Sequence, residues 1–570
     1  MRVYEAIVKG LESAGVDAAF GGAGENAAGL LLALKHSTQI KGVVVRHEQA
    51  ASFMACGYAM YSNRLGVCFA TAGPGAFNLF SGLAVAMSDS YPVLAISGFA
   101  REAWKGKGAL NETSGLSRTP DSQAMFAATT KRSFLLDDIT KTCDVLEEAV
   151  NLAFAGRHGP VHIHVPEDLT LAGQSVDNYR DIRLNVQPVL PDPTAIAPAA
   201  AAIAEALRRR KSVIALIGFG AVRSGAGPQL QAFVERFQIP FATTLDGKGI
   251  IAEDHPLALG VFADSGHASA GKAFVTADFV IAVGNSFAQH ATFNFRPDLL
   301  AGKTLVHINI AADEINKVYP ANHGIVADAK PAVAALTAAL SPLVDAVALA
   351  KADKDRHLTA PLFNLEPNHV HPGQLAQSLS KLLPDDGIVL ADAGAHLAWL
   401  GYFLQLKRGQ HYRKPGSFGP MAWAVNGALG LKIAFPDRPV IVGCGDGCYL
   451  LSGFELLTAV HYNIPVIWII FQDNEYKLIK LYQLEAFHES GLVDFPNPDY
   501  VAYAKACGAQ GFRVQSLGEF EAAFKTALAL NKPTLIDASI TRLAIPHYTT
   551  NPAGILAAIE ESIVKKLEGV

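Results

Sequence analysis

The chain has 570 residues, half of them hydrophobic and 17% charged, which is enough apolar material for three or four domains with buried cores. With 47 basic and 52 acidic residues the net charge is −5, so the composition excludes a broad electrostatic grip on nucleic acid. No apolar run approaches the roughly 20 residues of a membrane-spanning helix, and the N-terminus lacks a signal-peptide pattern. The six cysteines contain no CxxC pair, so we expect a cytoplasmic protein without nucleic-acid or membrane partners.

The first segment, to about residue 185, combines helical periods with short apolar runs that are typical of strands. Residues 1–15 predict an amphipathic helix, and the runs GVCFATAG and PVLAISG predict strands within 66–73 and 92–98. The stretch after it, QPVLPDPTAIAP at 187–198, has four prolines in twelve residues. Because proline cannot continue a helix or a central strand, we predict a linker there.

The second and third segments alternate helices with continuous apolar runs, which are typical of buried strands in parallel sheets. Polar stretches at 352–357 and 366–372 separate the two segments. We therefore predict an α/β fold of three doubly wound parallel-sheet domains, at residues 1–185, 190–345 and 368–550, followed by a C-terminal tail at 551–570. The strand-like runs lie at 212–220, 239–245, 279–284, 304–310, 387–394, 439–447 and 464–474.

Two distant stretches share one pattern, SGLAVAMSDSYPVLAIS at 81–97 and SGFELLTAVHYNIPVIWII at 452–470. Each runs from Ser-Gly through a helix and a proline to a buried strand. Either the first and third domains are related, or any α/β unit can produce such a pattern. Related domains would matter for function if one ligand bridged them.

Two aspartates follow neighbouring strands of the predicted third sheet. Asp446 stands between Gly445 and Gly447 directly after the run PVIVGC, and Asp473 ends the next run, 27 residues later (473 − 446). Because both aspartates follow neighbouring parallel strands, we expect their carboxylates at the carboxyl edge of the sheet. Ligands bind at this edge in doubly wound folds. The glycines let backbone N–H groups approach an anion. Two aspartates beside a backbone carbonyl suit Mg²⁺ or Ca²⁺ that shares its other positions with phosphate oxygens and water.

These residues resemble the diphosphate–metal motif of thiamine diphosphate enzymes. In that resemblance Mg²⁺ is bound by the side chains of Asp446 and Asp473 and by the backbone carbonyl of Glu475. The family most often has two asparagines where this chain has Gln-Asp, although catabolic acetolactate synthases have an Asn-Asp pair there. The resemblance spans nearly the whole chain, so the three domains are expected to be pyrimidine-binding, central and diphosphate-binding.

Residues of the first domain resemble the pyrimidine site of the family. Glu48 follows KGVVVRH and corresponds to the acid that hydrogen-bonds the pyrimidine N1′, although a lone glutamate after a strand is otherwise a solvated loop charge. The stretch TAGPGAFN resembles the family's T-S-G-P-G-A-T-N turn, which places Thr71, Pro74 and Asn78 near the aminopyrimidine. Glu48 would favour the imino tautomer whose N4′ takes the proton from the thiazolium C2.

The third domain carries the residues that resemble the diphosphate end of the site. GAHLAW resembles the G-Q-H-Q-M-W stretch of the family and places Gly394, Ala395 and His396 there; His396 is either a phosphate hydrogen-bond donor or a packed histidine. Gly419 matches the position whose carbonyl accepts from N4′, and Met421 matches the wedge that bends the cofactor, although methionine is usually core filler. The cofactor-binding set is completed by Gly445, Gly447, Cys448 and Tyr476, of which Cys448 by itself is typical of a small packing residue.

Two departures from the family concern the substrate pocket. Glu25 stands in GGAGEN, where the family often has F-G-x-P-G, so it is either an additional catalytic acid/base or a helix N-terminal carboxylate. Lys477 replaces a glycine after the metal loop and, with Leu478 and Ile479, is predicted to line the pocket. Lys477 either pairs there with a substrate carboxylate or faces solvent.

Two further departures concern the acceptor and a flavin. Acetolactate synthases usually have a glutamine shortly before a P-x-T-K segment, whereas this chain has Ser117 and Arg118 near that place and Gln123 closer to the lysine. In the same enzymes the central domain often holds FAD beside G-A-R-F-D-D-R. This chain has GNSFAQH at 284–290, without the arginines and the acids, so FAD is not favoured.

The resemblance implies a thiamine diphosphate- and Mg²⁺-dependent carboligase of the acetolactate synthase-like type. Such an enzyme decarboxylates a 2-oxo acid such as pyruvate and transfers the acyl carbanion equivalent to a second carbonyl, giving acetolactate or acetoin. The alternatives are decarboxylation alone, a lyase or hydrolase of a diketone or 2-hydroxyketone without ligation, and a regulatory subunit without chemistry. Since the two halves of the family's site come from different subunits, we expect at least a homodimer, and commonly a homotetramer.

Overall fold

Three parallel β-sheets of six strands each form the framework of the described chain, as the apolar runs predict. They are seen in a computed structural model that describes residues 1–171, 173–263, 265–344 and 366–546. Neighbouring strands are parallel throughout, and helices cover the sheets. The predicted α/β class with three doubly wound sheets is confirmed. No helix within these ranges is both long enough and apolar enough to cross a membrane.

The first sheet forms where the chain has short, continuous apolar runs. Its strands are β1 (Ala18–Gly21), β2 (Lys41–Val44), β3 (Gly66–Ala70), β4 (Val93–Phe99), β5 (Ser133–Leu135) and β6 (Pro160–Pro166). Its helices are α1 (Val3–Ser13), α2 (Ala28–His36), α3 (Glu48–Ser62), α4 (Pro74–Phe77), α5 (Phe80–Asp89), α6 (Ser122–Thr129) and α7 (Thr142–Phe154). The strand order is β2-β1-β3-β4-β6-β5, and the central strands β3 and β4 are buried along their whole length.

The second sheet has its own core and a different strand order. Its strands are β7 (Val213–Ile217), β8 (Phe241–Thr243), β9 (Ala258–Val261), β10 (Phe279–Val283), β11 (Thr304–Asn309) and β12 (His323–Val326). Its helices are α8 (Pro193–Arg208), α9 (Phe219–Arg223), α10 (Gly227–Phe237), α11 (Ala268–Thr276) and α12 (Ala329–Leu340). The order is β12-β11-β10-β7-β8-β9, so the chain reverses its winding between β7 and β10.

The third sheet carries the strands that precede the two predicted metal-binding aspartates. Its strands are β13 (Ile388–Ala391), β14 (His411–Arg413), β15 (Val440–Gly445), β16 (Ile467–Gln472), β17 (Gln510–Val514) and β18 (Thr534–Ser539), in the order β14-β13-β15-β16-β18-β17. Its helices are α13 (Pro372–Leu382), α14 (Ala395–Phe403), α15 (Trp423–Ala434), α16 (Asp446–Ser452), α17 (Leu456–His461), α18 (Lys477–Phe487), α19 (Tyr500–Ala506) and α20 (Leu517–Leu530).

The predicted linker at 187–198 is wrong in its second half, because α8 begins at Pro193 and continues through Pro198. Pro193 is tolerated since the first helical position needs no N–H partner, and the Asp192 side chain caps the helix by accepting from the N–H of Thr194. Pro198 removes one helical hydrogen bond, a cost of about 3 kcal/mol. Burial of the apolar face of α8 against the core of the second sheet outweighs that cost.

Each sheet lies within one of the predicted domains, and the domain boundaries themselves remain predictions. The polar stretch at 352–357 and the C-terminal tail at 551–570 lie outside the described residues. The first and third sheets have the same strand order when their strands are counted from the first one of each sheet. This shared order favours the interpretation that the matching stretches at 81–97 and 452–470 belong to related domains.

The first and third domains share one hydrophobic core, at which α3 crosses α15. The two helices meet at glycines: a Cβ placed on Gly57 would lie 1.9 Å from the carbonyl oxygen of Gly427, and one on Gly430 would lie 1.9 Å from that of Met54. No other residue type has room at these points. The glycines therefore let the two helices, and with them the two outer domains, approach each other closely.

Arg413, at the end of β14, joins all three domains through one buried guanidinium. Nη2 donates to Oδ2 of Asp89 at 2.9 Å in the first domain, and Nη1 donates to Asp246 in the central domain. The guanidinium also lies 3.6 Å above the ring of Phe219. Desolvation alone would raise the pKa of Asp246, but the charges of Lys414 and Arg413 outweigh it, and the pKa is lowered.

Candidate active site

A cavity of about 250 Å³ opens at the carboxyl edge of the third sheet, beyond β13, β15 and β16. These three strands are neighbours, which brings the loops that follow them to one place. Every residue predicted for the diphosphate end of the site and for the substrate pocket lines this cavity: Gly394, Ala395, His396, Gly419, Met421, Gly445, Asp446, Gly447, Cys448, Asp473, Glu475, Tyr476, Lys477, Leu478 and Ile479.

Asp446 is the first residue of α16, and its carboxylate organises the loop that follows β16. Oδ2 accepts from the backbone N–H groups of Asp473 at 3.2 Å and Asn474 at 2.7 Å, and from Nδ2 of Asn497 at 2.7 Å. Oδ1 accepts from the N–H of Gly447 at 2.8 Å. Desolvation outweighs these hydrogen bonds and raises the pKa of Asp446. Oδ1 keeps a lone pair that a cation could use.

Asp473 lies beside Asp446 in the cavity wall and is buried. Burial raises the pKa of Asp473 well above its usual range; the charge of Lys477 lowers it, while those of Asp446 and Glu475 raise it further. Burying a carboxylate is costly unless a cation or hydrogen bonds compensate. Within the described ranges, no cluster of three or more His, Cys, Asp or Glu side chains could hold a metal. The predicted half-site, two carboxylates and one carbonyl, needs no such cluster.

The carboxylate of Glu475 is buried between two lysines. It forms ion pairs with Lys477 and with Lys480, whose Nζ lies 2.6 Å from Oε2. Nζ of Lys477 also donates to the backbone carbonyl of Arg542 at 2.5 Å, and the side chain is only 8% exposed. The solvent-facing interpretation of Lys477 is therefore wrong, because the ammonium neutralises Glu475 inside the wall. The pairing of Lys477 with a substrate carboxylate remains a prediction.

His396 presents an unsatisfied nitrogen in the same wall. Nε2 is buried and lacks a hydrogen-bond partner among the residues that the structure describes. Burial lowers the pKa of His396 to about 4, so the imidazole is neutral near pH 7. The ring packs against Gly394 and Gly445, where an added Cβ would approach it within 2.7 and 3.2 Å. Because a packed histidine normally finds partners for both nitrogens, the orphaned Nε2 favours the phosphate-donor interpretation.

Gly419 and Met421 reach the cavity from the segment that precedes α15. Gly419 has φ +61° and Ala422 has φ +66°, so left-handed residues stand on either side of Met421. Met421 also packs, partly buried, against the core that the outer domains share. Its place in the cavity wall agrees with the wedge interpretation, which remains a prediction.

The predicted pyrimidine residues gather at the carboxyl edge of the first sheet. Glu48 begins α3, and its Oε2 accepts a hydrogen bond from Nδ2 of Asn78 at 2.9 Å. The carboxylate lies against two backbone segments, since a Cβ on Gly22 or Gly75 would come within 2.4 or 3.1 Å of Oε1. Thr71, the residue after β3, lies close to Gly75, which is also next to Oε1 of Glu48. Pro74 is the first residue of the short helix α4.

Glu25 is exposed in the turn before α2, and its carboxylate forms no hydrogen bond or ion pair with a described residue. Its charge acts on Arg101, whose guanidinium is paired with Glu167 at 2.5 Å. Glu25 therefore stands at the same sheet edge as Glu48 without joining its hydrogen bonds. Both interpretations of Glu25, as an acid/base and as a helix N-terminal carboxylate, remain predictions.

Within one chain the two halves of the site are separate. The cavity at Asp446 is lined only by residues between 372 and 544, so Glu48 and its neighbours are not part of it. Helix α16 and the turn after it lie between them: Asp446 begins α16, and Glu455 beyond its end accepts from the N–H groups of Arg46 and His47 at 2.8 and 2.9 Å.

Comparison with known proteins decides the family. Three domain families of thiamine pyrophosphate enzymes match this chain. They are the N-terminal TPP binding domain at residues 1–121, the central domain at 200–336 and the C-terminal TPP binding domain at 392–538. A probable acetolactate synthase large subunit of Methanocaldococcus jannaschii is 32% identical over 99% of this chain and 96% of its own length. The chain belongs to the thiamine pyrophosphate enzymes.

Two bacterial relatives are similar over nearly the same span. The acetolactate synthase large subunit of Corynebacterium glutamicum is 30% identical over 94% of this chain and 86% of its own length. The isozyme 2 large subunit of Escherichia coli is 28% identical over 94% and 95%. The predicted recognition is thus confirmed: this is a thiamine diphosphate-dependent, acetolactate synthase-like enzyme that acts on carbon–carbon bonds.

Two residues of this thiamine diphosphate enzyme's cavity region were missed from the sequence. Asn497 donates to Oδ2 of Asp446, and Arg542 donates from Nε to the carbonyl of Asp473 at 2.5 Å and from Nη2 to that of Asn474 at 3.3 Å. Arg542 follows β18, which neighbours β16. Only the strand order, which is not readable from the sequence, brings Arg542 to the metal loop.

Asn111 is a further residue near the predicted pyrimidine site that the sequence did not indicate. Gln123 is occupied elsewhere, since its Nε2 donates to the carbonyl of Ser133 at 2.8 Å. Asn111, with φ +59°, packs on the pyrimidine turn: a Cβ on Gly73 would come within 2.9 Å of its own Cβ. A left-handed asparagine over this turn places a side-chain amide at the edge of the predicted pyrimidine site.

A second cavity, of about 320 Å³, lies where the three domains meet. The stretch at 284–290 stands where acetolactate synthases have the flavin segment G-A-R-F-D-D-R. It contributes Gly284, Asn285, Ser286 and Ala288 to the lining of this cavity. Nδ2 of Asn285 is buried without a partner in the described part of the chain. The expectation that FAD is not favoured remains a prediction.

Proposed function

We propose that the chain is a thiamine diphosphate- and Mg²⁺-dependent carboligase. It would decarboxylate a 2-oxo acid such as pyruvate and transfer the acyl carbanion equivalent to a second carbonyl, giving acetolactate or acetoin. The observation that carries the proposal is the cavity at Asp446, in which all residues predicted for the diphosphate end meet. The names of relatives that align along nearly the whole chain support the same reaction type.

The residues of this cavity fit the metal and the cofactor. The buried carboxylates of Asp446 and Asp473 need positive charge, which Mg²⁺ would supply together with the backbone carbonyl of Glu475 as a third ligand. Neutral His396, with its orphaned Nε2, can share a hydrogen bond with a phosphate oxygen. When bound, the cofactor supplies the carbanion at C2 and the electron sink for decarboxylation.

Glu48 would act on the pyrimidine end of the cofactor. Asn78 holds one carboxyl oxygen of Glu48, which leaves the other free to exchange a proton with N1′. The glycines at 22 and 75 let the surrounding backbone close on this carboxyl group without a side chain in the way. Positioning of this kind lowers the barrier by fixing the proton donor before reaction.

A second copy of the chain would complete the site. Glu48 lies near the far end of α16 and the turn that follows and does not line the Asp446 cavity, which supports a site whose two halves come from different subunits. This element and the start of α17 expose four large apolar side chains, between 38% and 52% accessible: Leu450, Leu451, Phe454 and Leu457. Neighbouring exposed apolar side chains of this kind are typical of interaction surfaces. We infer a homodimer in which Glu48 faces the Asp446 cavity of the other subunit, and a homotetramer as the further assembly.

One observation favours a second candidate, cleavage of a diketone or 2-hydroxyketone, or decarboxylation, without ligation. The glutamine expected for the acceptor is not met by Gln123, whose amide is bonded to Ser133. An enzyme that does not bind an acceptor would transfer a proton to the acyl carbanion equivalent and release an aldehyde, or, with a diketone, add water and release an acid. If ligation occurs, Asn111, which packs on the pyrimidine turn, is a residue that could take the place of the glutamine.

Product analysis with the purified full chain separates the candidates. The protein is incubated with pyruvate, thiamine diphosphate and Mg²⁺, and CO₂, acetaldehyde, acetoin and acetolactate are followed. Acetolactate or acetoin supports ligation, and aldehyde alone supports the second candidate. Glu48→Gln is the inactive control, and the absorption spectrum of the preparation detects a flavin. Absence of turnover with any 2-oxo acid or diketone would contradict both candidates.

A further inference from the structure

Asp392 is a fully buried carboxylate directly after β13, and none of the roles described so far uses it. Its residue is 0% exposed. The two residues that follow, Ala393 and Gly394, line the cavity of the active site, whereas Asp392 does not. Burying a carboxylate at such a place is costly, so its hydrogen bonds should show what it does.

The carboxylate of Asp392 ties together two walls of the cavity. Oδ1 accepts from the backbone N–H of Ala393 at 2.8 Å. Oδ2 accepts from the N–H groups of Ala424 at 2.9 Å and Val425 at 3.2 Å, in the first turn of α15. The thiol of Cys448, which donates to the carbonyl of Ala393 at 2.8 Å, also contacts the carboxylate and connects the start of α16.

The segment that Asp392 fastens is strained. Ala422, the residue before α15, has φ +66° and ψ 0°, a left-handed conformation that costs an alanine about 1–2 kcal/mol. Its own side chain cannot cap the helix, so the N–H groups of the first turn depend on Asp392. The charged carboxylate also interacts favourably with the dipole at the N-terminus of this twelve-residue helix.

We propose that Asp392 is a positioning residue, which holds Met421 on one side and the wall from Ala393 to His396 on the other in the geometry that receives thiamine diphosphate. The inference rests on the proposed function, in which these walls face the cofactor. If the hydrogen bonds to Ala424 and Val425 are lost, the strain at Ala422 is no longer compensated and Met421 is no longer held in place. Asp392 then acts through Met421 and touches neither cofactor nor substrate.

The test compares three variants of the full chain with the natural protein. Asp392→Asn keeps the shape but offers one oxygen, and its amide N–H₂ faces N–H donors. Ala422→Gly in that background removes the left-handed strain, since glycine adopts φ > 0 without cost. Asp192→Asn is the matched control, because Asp192 caps α8 in the central domain, far from the cavity. Thermal midpoints, thiamine diphosphate affinity with saturating Mg²⁺ from tryptophan fluorescence, and kcat and KM are measured.

We expect Asp392→Asn to weaken thiamine diphosphate binding on the order of 10- to 100-fold, a typical loss for residues that orient ligating groups. The value of kcat should fall while KM for the 2-oxo acid changes little. The double variant with Ala422→Gly should regain thermal stability without regaining cofactor affinity, and Asp192→Asn should keep the natural affinity.

Natural cofactor affinity and natural kcat in a folded Asp392→Asn would overturn the inference, as would recovery of affinity in the double variant. Binding is scored independently of turnover. If the natural protein binds thiamine diphosphate but turns over no 2-oxo acid or diketone, the proposed function fails and the affinities still decide the role of Asp392. If the natural protein binds no thiamine diphosphate, both fail together.

Discussion

Replacement of Arg413 by methionine should loosen the junction of the three domains. The side chains of Arg413 and Asp89 are each only 2% exposed, so the change leaves a buried carboxylate without its cation. Asp89 keeps the hydrogen bonds from Ser88 at 2.7 Å and from the N–H of Gly416 at 3.0 Å. Asp246, 29% exposed, keeps Lys414 at 3.1 Å.

The expected loss follows from this asymmetry between the two acids. Removal of one partner from a buried ion pair typically costs about 3–5 kcal/mol, because the remaining charge is neither paired nor solvated. Almost all of that loss should come from Asp89, since Asp246 retains a lysine and contact with water. The double variant Arg413→Met/Asp89→Asn removes the orphaned charge and should recover part of the loss.

Differential scanning calorimetry and limited proteolysis test this reasoning. In Arg413→Met we expect a lower transition that separates into more than one component, with earlier cleavage between the second and third domains. Arg296→Met, which breaks an exposed pair with Asp298, should leave the transition unchanged. An undivided transition within about 1 kcal/mol of the natural protein, the range of surface pairs, would refute the argument.

Three further outcomes follow from the packing and the buried charges. Gly57→Ala places a Cβ 1.9 Å from an oxygen of Gly427, so overpacking should cost about 1–3 kcal/mol in chemical unfolding, whereas Gly271→Ala, with open space, should not destabilise. Asp473→Asn removes a carboxylate whose pKa is raised, so calorimetry should show a more stable metal-free protein, and titration weaker Mg²⁺ binding; unchanged Mg²⁺ affinity would contradict the half-site. Burial raises the pKa of Asp392 to about 6, so its contribution to stability is present at low pH and is lost as the pH rises to that value. The difference in free energy of unfolding between the natural protein and Asp392→Asn should therefore change between pH 4 and 6. A difference that does not change with pH would contradict the effect of burial.

The framework of the fold was predictable because buried parallel strands have uninterrupted runs of apolar residues in the sequence. PVIVGC and IPVIWIIF became β15 and β16, and the loops after them met at one sheet edge, as this topology requires. Proline was misleading over 187–198, because local propensity cannot weigh the burial of the apolar face of α8. Propensity describes a segment alone, whereas the core decides between segments.

The site was predictable where a residue acts through its own position in a motif. Asp446 and Asp473 directly follow or end strands, and His396 lies in the first turn of α14 after β13; all three reach the cavity by local geometry. Arg542 was not predictable, because the carbonyl of Asp473 to which it donates lies on a different loop, and only the fold makes the two loops neighbours. Lys477 was predicted to line the pocket, but its ion pair with Glu475 was not. The partners of a polar side chain are a property of the assembled fold.

Helix α16 and the turn that ends at Glu455 have a consequence for how two copies of the enzyme would behave together. In the proposed dimer, Asp446, the first residue of this element, would lie at one bound coenzyme. Glu455 accepts hydrogen bonds from the backbone next to Glu48, which would act on the other coenzyme. This short element would therefore connect the two reaction centres of the dimer directly. In that dimer, a displacement of this element at one centre would also act on the backbone beside the Glu48 that serves the other centre.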